Sequence, residues 1–324
     1  MNTVESMAAD GRRITGRSFP TPDVVKTMNN PAAWDQLGGF AEAQAAEANA
    51  ALALLDERLG RAATKVDRTE AFEDAFWHVT DWRYEMAAHG WTRPGAHAED
   101  VRTPISTAMT YALTPFVGNR ESGSPAFRLL SDLDWVARDR LKGADEVRNM
   151  VRLRDGRSIE GNLLFQDDRG LVFTETAAGS DRLTLRRAAF ETLADLEAKR
   201  ADAGHLDPKD PELRQQYADA ANFLIQAPEV QRGSDAIMRT FLVAAHARVF
   251  DAAPVLPQAI DLDGMVRGQD AFNDVMRDQL RVIPPSTASD REAQEPSAGQ
   301  GAANRAPRPR TSINFHRAPA RWKG

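Results

Sequence analysis

His78 lies in the densest aromatic stretch of the chain, Phe76-Trp77-His78-Val79-Thr80-Asp81-Trp82-Arg83-Tyr84, with Trp91 close behind and Asp74, Asp81 and Glu85 around it. A histidine among carboxylates is the raw material of metal ligation or acid–base catalysis. One helical turn puts Asp74 and His78 on a common face, but the next histidine, His89, comes eleven residues later and misses ligand spacing. The stretch therefore reads as a partly buried histidine beside surface carboxylates, its aromatics packing a helical core or forming a partner-binding face. No metal site is expected. The sequence also lacks a Ser-His-Asp order, a Walker loop and a dinucleotide fingerprint. With no cysteine, it has no thiol nucleophile, disulfide or cysteine-based metal site.

Two further sets of residues are chemically suggestive. Arg152, Arg154, Arg157, Arg186 and Arg187 are the candidates for contacting nucleic-acid phosphates. Glu160, Asp167 and Asp168 are interleaved with them, and Phe165 and Phe173 are the only stacking aromatics, so a structural or protein-binding role is favoured. The other set lies in IQAPEVQRGSDAIMRTF, Ile225 to Phe241, between two helical patterns. Its plainest reading is a connecting loop in which Ser234 caps the following helix.

The elements that must hold these residues are mostly helices. Thr21-Pro22-Asp23 opens a short helix through Met28, and an Ala-rich amphipathic helix is expected from Trp34 to Val66. Further helices are expected over Thr69–His89, Ala126–Leu141 (capped at Ser124-Pro125), Ala188–Ala203, Pro211–Gln226, Asp235–Phe250 and Asp263–Leu280. An apolar stretch covers Ile105 to Val117. Between Val147 and Arg187, four short apolar runs are separated by Asp155-Gly156, by Asp167 to Gly170 and by Ala178-Gly179-Ser180. This predicts a four-stranded antiparallel meander that closes into a small barrel or packs on a helix.

The fold class is thus mainly α with a small β insertion. The expected organisation is a flexible start at 1–20, a helical unit at 21–145, a β unit at 146–187, a second helical unit at 188–283 and a basic disordered tail at 284–324. At 324 residues, two or three compact units are natural. The net charge of −6 argues against a nucleic-acid coat, although Pro296 to Gly324 holds no acidic residue while carrying Arg305, Arg308, Arg310, Arg317, Arg321 and Lys323. With no signal-peptide core or membrane-span pattern, a cytoplasmic location is expected.

The order helix YADAANFLIQ, loop APEVQRGSD, helix AIMRTFLVAAHARVF, then APVLPQAIDLDGMVRGQDAFN resembles the carboxy-terminal half of a Fic domain, over about ninety residues from Phe190 to Val282. Fic proteins mainly move AMP from ATP onto protein hydroxyls, and their loop reads roughly HPFxxGNGRxxR. In that family the histidine is the general base, an acidic residue binds magnesium, and the glycines let backbone N–H groups hold phosphate at the next helix. Here Ala227 stands at the histidine, before a retained Pro228, and Glu229 replaces the aromatic. With one residue inserted, Gln231-Arg232 falls near the acidic position. Gly233 remains, Ser234 stands for asparagine, and Asp235 and Ala236 replace a glycine and an arginine. The resemblance leaves Arg232, Gly233, Ser234 and Arg239 as nucleotide-binding candidates and no catalytic residue.

Val151, Leu153, Asp155, Gly156, Arg157 and Gly161 fit the V-x-L-x-D-G-R-x-x-x-G hairpin of Sm-like small barrels, a resemblance spanning Val147 to Arg187 that implies RNA or peptide binding. The tail, with Arg305, Arg308, Arg310, Arg317 and Arg321, is similar to the basic export signals of conjugation-type (type IV) secretion. Together these imply a Fic-like pseudoenzyme without cofactor, an effector or mobile-element product whose partners are another protein and the secretion coupling machinery. Two alternatives stay open. One is a divergent AMP transferase using ATP and magnesium, and the other a nucleic-acid-binding accessory protein.

Overall fold

The computed structural model describes residues 12–20, 31–89, 98–101, 103, 105, 110–112, 123 and 125–283. The expected Thr21–Met28 helix, most of the Ile105–Val117 stretch and the tail from 284 lie outside them.

Among the described residues the chain forms eight α-helices and a small antiparallel sheet. Helix α1 (Pro31–Leu59) carries its buried row at Ala45, Ala48, Leu52, Leu55 and Leu59, at helical spacing. It stops short of the expected Val66 because Thr64 begins a new helix, α2 (Lys65–Ala88). The Thr64 hydroxyl accepts from the Asp67 N–H at 3.1 Å and the Asp67 carboxylate accepts from the Thr64 N–H at 2.8 Å, a reciprocal cap that ends one helix direction and starts another. Those bonds hold the Asp67 carboxyl below its ordinary range.

The β region differs from expectation in its last run. Strand β1 (Thr110–Ala112) comes before helix α3 (Pro125–Leu141), and β2 (Glu146–Arg152), β3 (Ser158–Gln166) and β4 (Val172–Glu175) follow. The sheet order is β1-β4-β3-β2, all antiparallel and open, so the fourth strand comes from upstream. Two of the three expected turns are present, and the third, Ala178-Gly179-Ser180, opens a helix instead. Gly156 and Gly170 take φ of 88° and 77°, and the Asp155 and Asp167 carboxylates accept backbone N–H groups within their turns.

The run expected as a fourth strand is instead the start of helix α4 (Gly179–Ala203). Leu183 is 59% exposed and Leu185 fully buried, which residues two apart on a strand would not show but residues two apart on a helix do. Leu185, Ala189, Phe190, Leu193 and Leu196 continue the buried row. The sheet packs on α3, where Leu133, Ala137 and Leu141 meet Leu164 and Val172.

Helix α5 (Pro211–Gln226) starts at Asp210, whose carboxylate accepts from the N–H groups of Glu212 and Leu213 at 2.9 and 3.0 Å. Helix α6 (Ser234–Phe250) is buried nearly all round, with Phe241, Leu242, Val243, Ala244, Ala245 and Ala247 inaccessible. Such a helix belongs at the centre, and it packs against α1, α2, α4 and α5. The expected last helix is two, α7 (Ile260–Val266) and α8 (Gln269–Gln279), broken at Arg267-Gly268, where Arg267 is extended. A two-stranded ribbon of β5 (Pro254–Val255) and β6 (Arg281–Val282) flanks them.

One core draws on residues from Ile14 to Leu280, so the segments at 21–145 and 188–283 contribute to it together. Residues 12–20, expected to be loose, are pinned at single points rather than by periodicity. Ile14 and Phe19 are buried, and Arg12 pairs with Asp56 at 2.6 Å. That pair belongs to a network in which Arg248 bridges Asp56 at 3.0 Å and Glu197 at 2.5 Å, while Arg200 meets Asp251 at 2.9 Å.

Candidate functional site: the loop between α5 and α6

Gln226, the last residue of α5, turns its side chain inward, accepting from the Asn162 N–H at 2.8 Å and donating to the Gly264 carbonyl at 2.5 Å. This ties the loop's start to β3 and α7. Ala227 follows, 1% exposed, as the helix cap. A methyl group in this position can neither take nor give a proton. The Glu229 carbonyl accepts from the Ile105 N–H at 2.9 Å and the Gln231 N–H donates to the Thr103 carbonyl at 3.2 Å, so Thr103 and Ile105 each brace the loop's backbone. Phe76, Leu224, Ala227, Val230, Ser234 and Met238 line a cavity of about 10 Å³, room for one water.

Glu229 of the loop and Arg239 of α6 each meet an opposite charge. Glu229 forms an ion pair with Arg186, whose guanidinium lies 5.3 Å from the centre of the Trp77 ring and whose side chain is 8% exposed. Arg239 donates Nε–H to Asp235 at 2.8 Å, Nη1–H to the Pro257 carbonyl at 2.8 Å and Nη2–H to the Gln258 carbonyl at 2.5 Å. The Asp235–Arg239 pair is a helical i,i+4 contact legible in the sequence; the two carbonyl contacts are not. Beside them Asp261 is pushed up to about 7, by burial first and then by the Asp235 carboxylate, with Arg239 opposing.

Gly233 takes φ of +81° immediately before α6. A side chain there would be strained by the left-handed backbone and would press within 3.2 Å of Arg83 Cγ and Nε. The Ser234 hydroxyl does not cap α6 as expected; it donates to the Val230 carbonyl at 2.9 Å, and Gly233 occupies the cap position. Arg232 is exposed. Arg83, not singled out from the sequence, comes from α2 to lie against this turn. Its Nε and Nη1 are buried without a hydrogen-bond partner, its carbon Cζ stands 5.7 Å from the Phe40 ring centre, and burial lowers its pKa. Only the aromatic run containing Arg83 hinted at its importance.

The remaining candidates are dispersed. His78 Nε2 donates to the Glu47 carboxylate of α1 at 3.0 Å, and that contact raises the His78 pKa, while Asp74 pairs with Arg58 at 3.3 Å. His78 is therefore an interhelical brace with a partner 31 positions back in the sequence. Arg152 pairs with Asp270 at 2.5 Å and Arg157 with Asp155 at 2.7 Å, both exposed. Arg154 is exposed, and Arg187 pairs with Glu191 at 3.0 Å. The buried Arg186 thus stands apart from the exposed arginines it was grouped with. Among the described residues no three of His, Asp and Glu gather as a metal-holding group, and no helix is long and apolar enough to cross a membrane. Arg305, Arg308, Arg310, Arg317 and Arg321 lie outside the described residues.

No family model matches this sequence, and a search of the curated proteins returns no match.

Proposed function

We propose that this chain is a non-catalytic interaction protein built on a degenerate Fic-like helix–loop–helix, an effector or mobile-element product delivered into another cell by way of its basic carboxy-terminal segment. One observation carries the reading. Arg239, the arginine best placed by the resemblance to pair with phosphate, directs its donors at Asp235 and at the carbonyls of Pro257 and Gln258. A guanidinium held that way braces α6 against the chain entering α7. Ala227 supports the same reading, since a positioned general base contributes about 10²- to 10⁴-fold in rate and alanine cannot act as one. Calorimetry of the full chain with ATP and magnesium tests it. No heat of binding is expected; micromolar binding that is lost in Arg232→Ala would sink the proposal.

A second reading, a divergent nucleotidyl transferase, is favoured by Arg83 alone. Its Nε and Nη1 are buried without a partner, and Nε lies beside Gly233 at the start of α6, where an anion would be welcome. In that case ATP binding would appear and would fall in Arg83→Gln.

A further inference from the structure

We infer that the outer face of α3 is a docking surface for an arginine-bearing segment of a partner protein, with Trp135 as its anchor. The inner row of α3 is fully used: Leu130, Leu133, Ala137 and Leu141 are 0–4% exposed, the last three against the sheet. The opposite row, Arg128, Asp132, Trp135 and Asp139, is exposed throughout. Trp135 is 68% exposed, ahead of Leu183 at 59%, Val66 at 55% and Met150 at 51%, which sit singly on α4, α2 and β2. Tryptophan is the residue type most enriched among binding hot spots.

Its neighbours name the partner's chemistry. Asp132 lies about one turn before Trp135 and Asp139 about one turn after, and neither makes an ion pair among the described residues. On the flank, Asp134 is already bound to Arg138 at 2.8 Å. Beyond Arg128 at its start, the row therefore presents carboxylate, indole and carboxylate along about 10 Å of helix. An indole face attracts a cation, and a planar guanidinium can stack on it while its N–H edges reach a carboxylate. Arginine suits this row better than lysine, whose ammonium is a compact, strongly hydrated point charge. The net charge of −6 adds long-range attraction to a basic partner. A nucleic acid would meet repulsion from both carboxylates. A second copy docking through the same face would set Asp132 against Asp139.

This rests on reading the chain as an interaction protein. The test uses the full chain and three labelled twelve-residue peptides alternating alanine with arginine, lysine or glutamate, followed by anisotropy, with ATP titrated separately. The arginine peptide is expected to bind, the lysine peptide more weakly and the glutamate peptide not at all. Trp135→Ala should weaken arginine-peptide binding ~10-fold or more, with Trp135→Phe intermediate. Asp132→Asn with Asp139→Asn should weaken it ~3- to 10-fold and flatten its salt dependence. Because Trp135 is exposed, Trp135→Ala should keep the parent's circular dichroism and urea midpoint. Arginine-peptide binding unchanged in Trp135→Ala overturns the inference, as does a concentration-dependent dimer abolished by that variant. No peptide binding together with no ATP binding overturns it while leaving the interaction reading standing. ATP binding without peptide binding overturns both.

Discussion

At the start of α6, Arg239 and Glu229 are held by Asp235, by two backbone carbonyls and by Arg186, whereas along the outside of α3, Asp132 and Asp139 flank an exposed Trp135 with no ion pair among the described residues. The first region is where the sequence suggested chemistry; the second drew no attention there. Charges closed on one another contribute to the fold and have little left for a ligand. Charges left open contribute little to stability and remain available to a partner. Mutation should therefore separate the two regions by what it damages.

The largest effect is expected at the loop. Glu229→Ala would leave Arg186, 8% exposed, without its carboxylate. Breaking a buried pair from one side costs about 3–5 kcal/mol, and the partial exposure of Glu229 reduces that to about 2–3 kcal/mol. Urea denaturation measures it, and a loss below 0.5 kcal/mol would erase the distinction between the regions. Gly233→Ala should come next, at about 1–3 kcal/mol, because strain and contact with Arg83 act together. Gly156, at φ 88° with open space around it, is the control: Gly156→Ala should cost only the backbone term of about 1 kcal/mol. Equal losses at both glycines would show that Arg83 yields freely.

The pH dependence sharpens the comparison further. Asp261 is raised to about 7, so its folded form holds a proton more tightly than the unfolded chain; its contribution is full at low pH and is lost as pH rises through about 7. His246 is lowered to about 4 by burial, so its contribution is full above its ordinary value of 6.5 and is lost as pH falls toward 4. The two slopes oppose each other between about pH 4 and 7. Asp261→Asn should raise the melting temperature at pH 8 and steepen its fall on acidification. An unchanged profile would mean that Asp261 is charged in the fold at neutral pH. The smallest effect is expected at Trp135→Ala, within about 0.5 kcal/mol of the parent, as for other surface changes.

How much of this was legible follows from the range of the interactions. Asp210-Pro211 located the start of α5 because both residues act on the next turn of their own helix. Asp155-Gly156 and Asp167 to Gly170 located two hairpins for the same reason. Leu183 and Leu185 misled because a short alternating run satisfies a strand and one edge of a helix alike, and only the buried row continuing to Leu196 decides between them. Ser234 misled because Gly233, with its left-handed φ, took the cap position. Arg186 was grouped with the exposed arginines because its partner, Glu229, lies 43 positions along the chain.

By itself the sequence determined what local physics controls: a mainly helical chain, the caps and turns that punctuate it, and a connecting loop that opens on Ala227-Pro228. Tertiary structure decided which charges meet, that residues 12–20 join the core, that Arg83 reaches the turn at Gly233, and that Trp135 faces outward. Those outcomes depend on side chains tens to hundreds of residues apart, brought together by burial of a shared core, and burial leaves no short-range pattern from which its partners can be read.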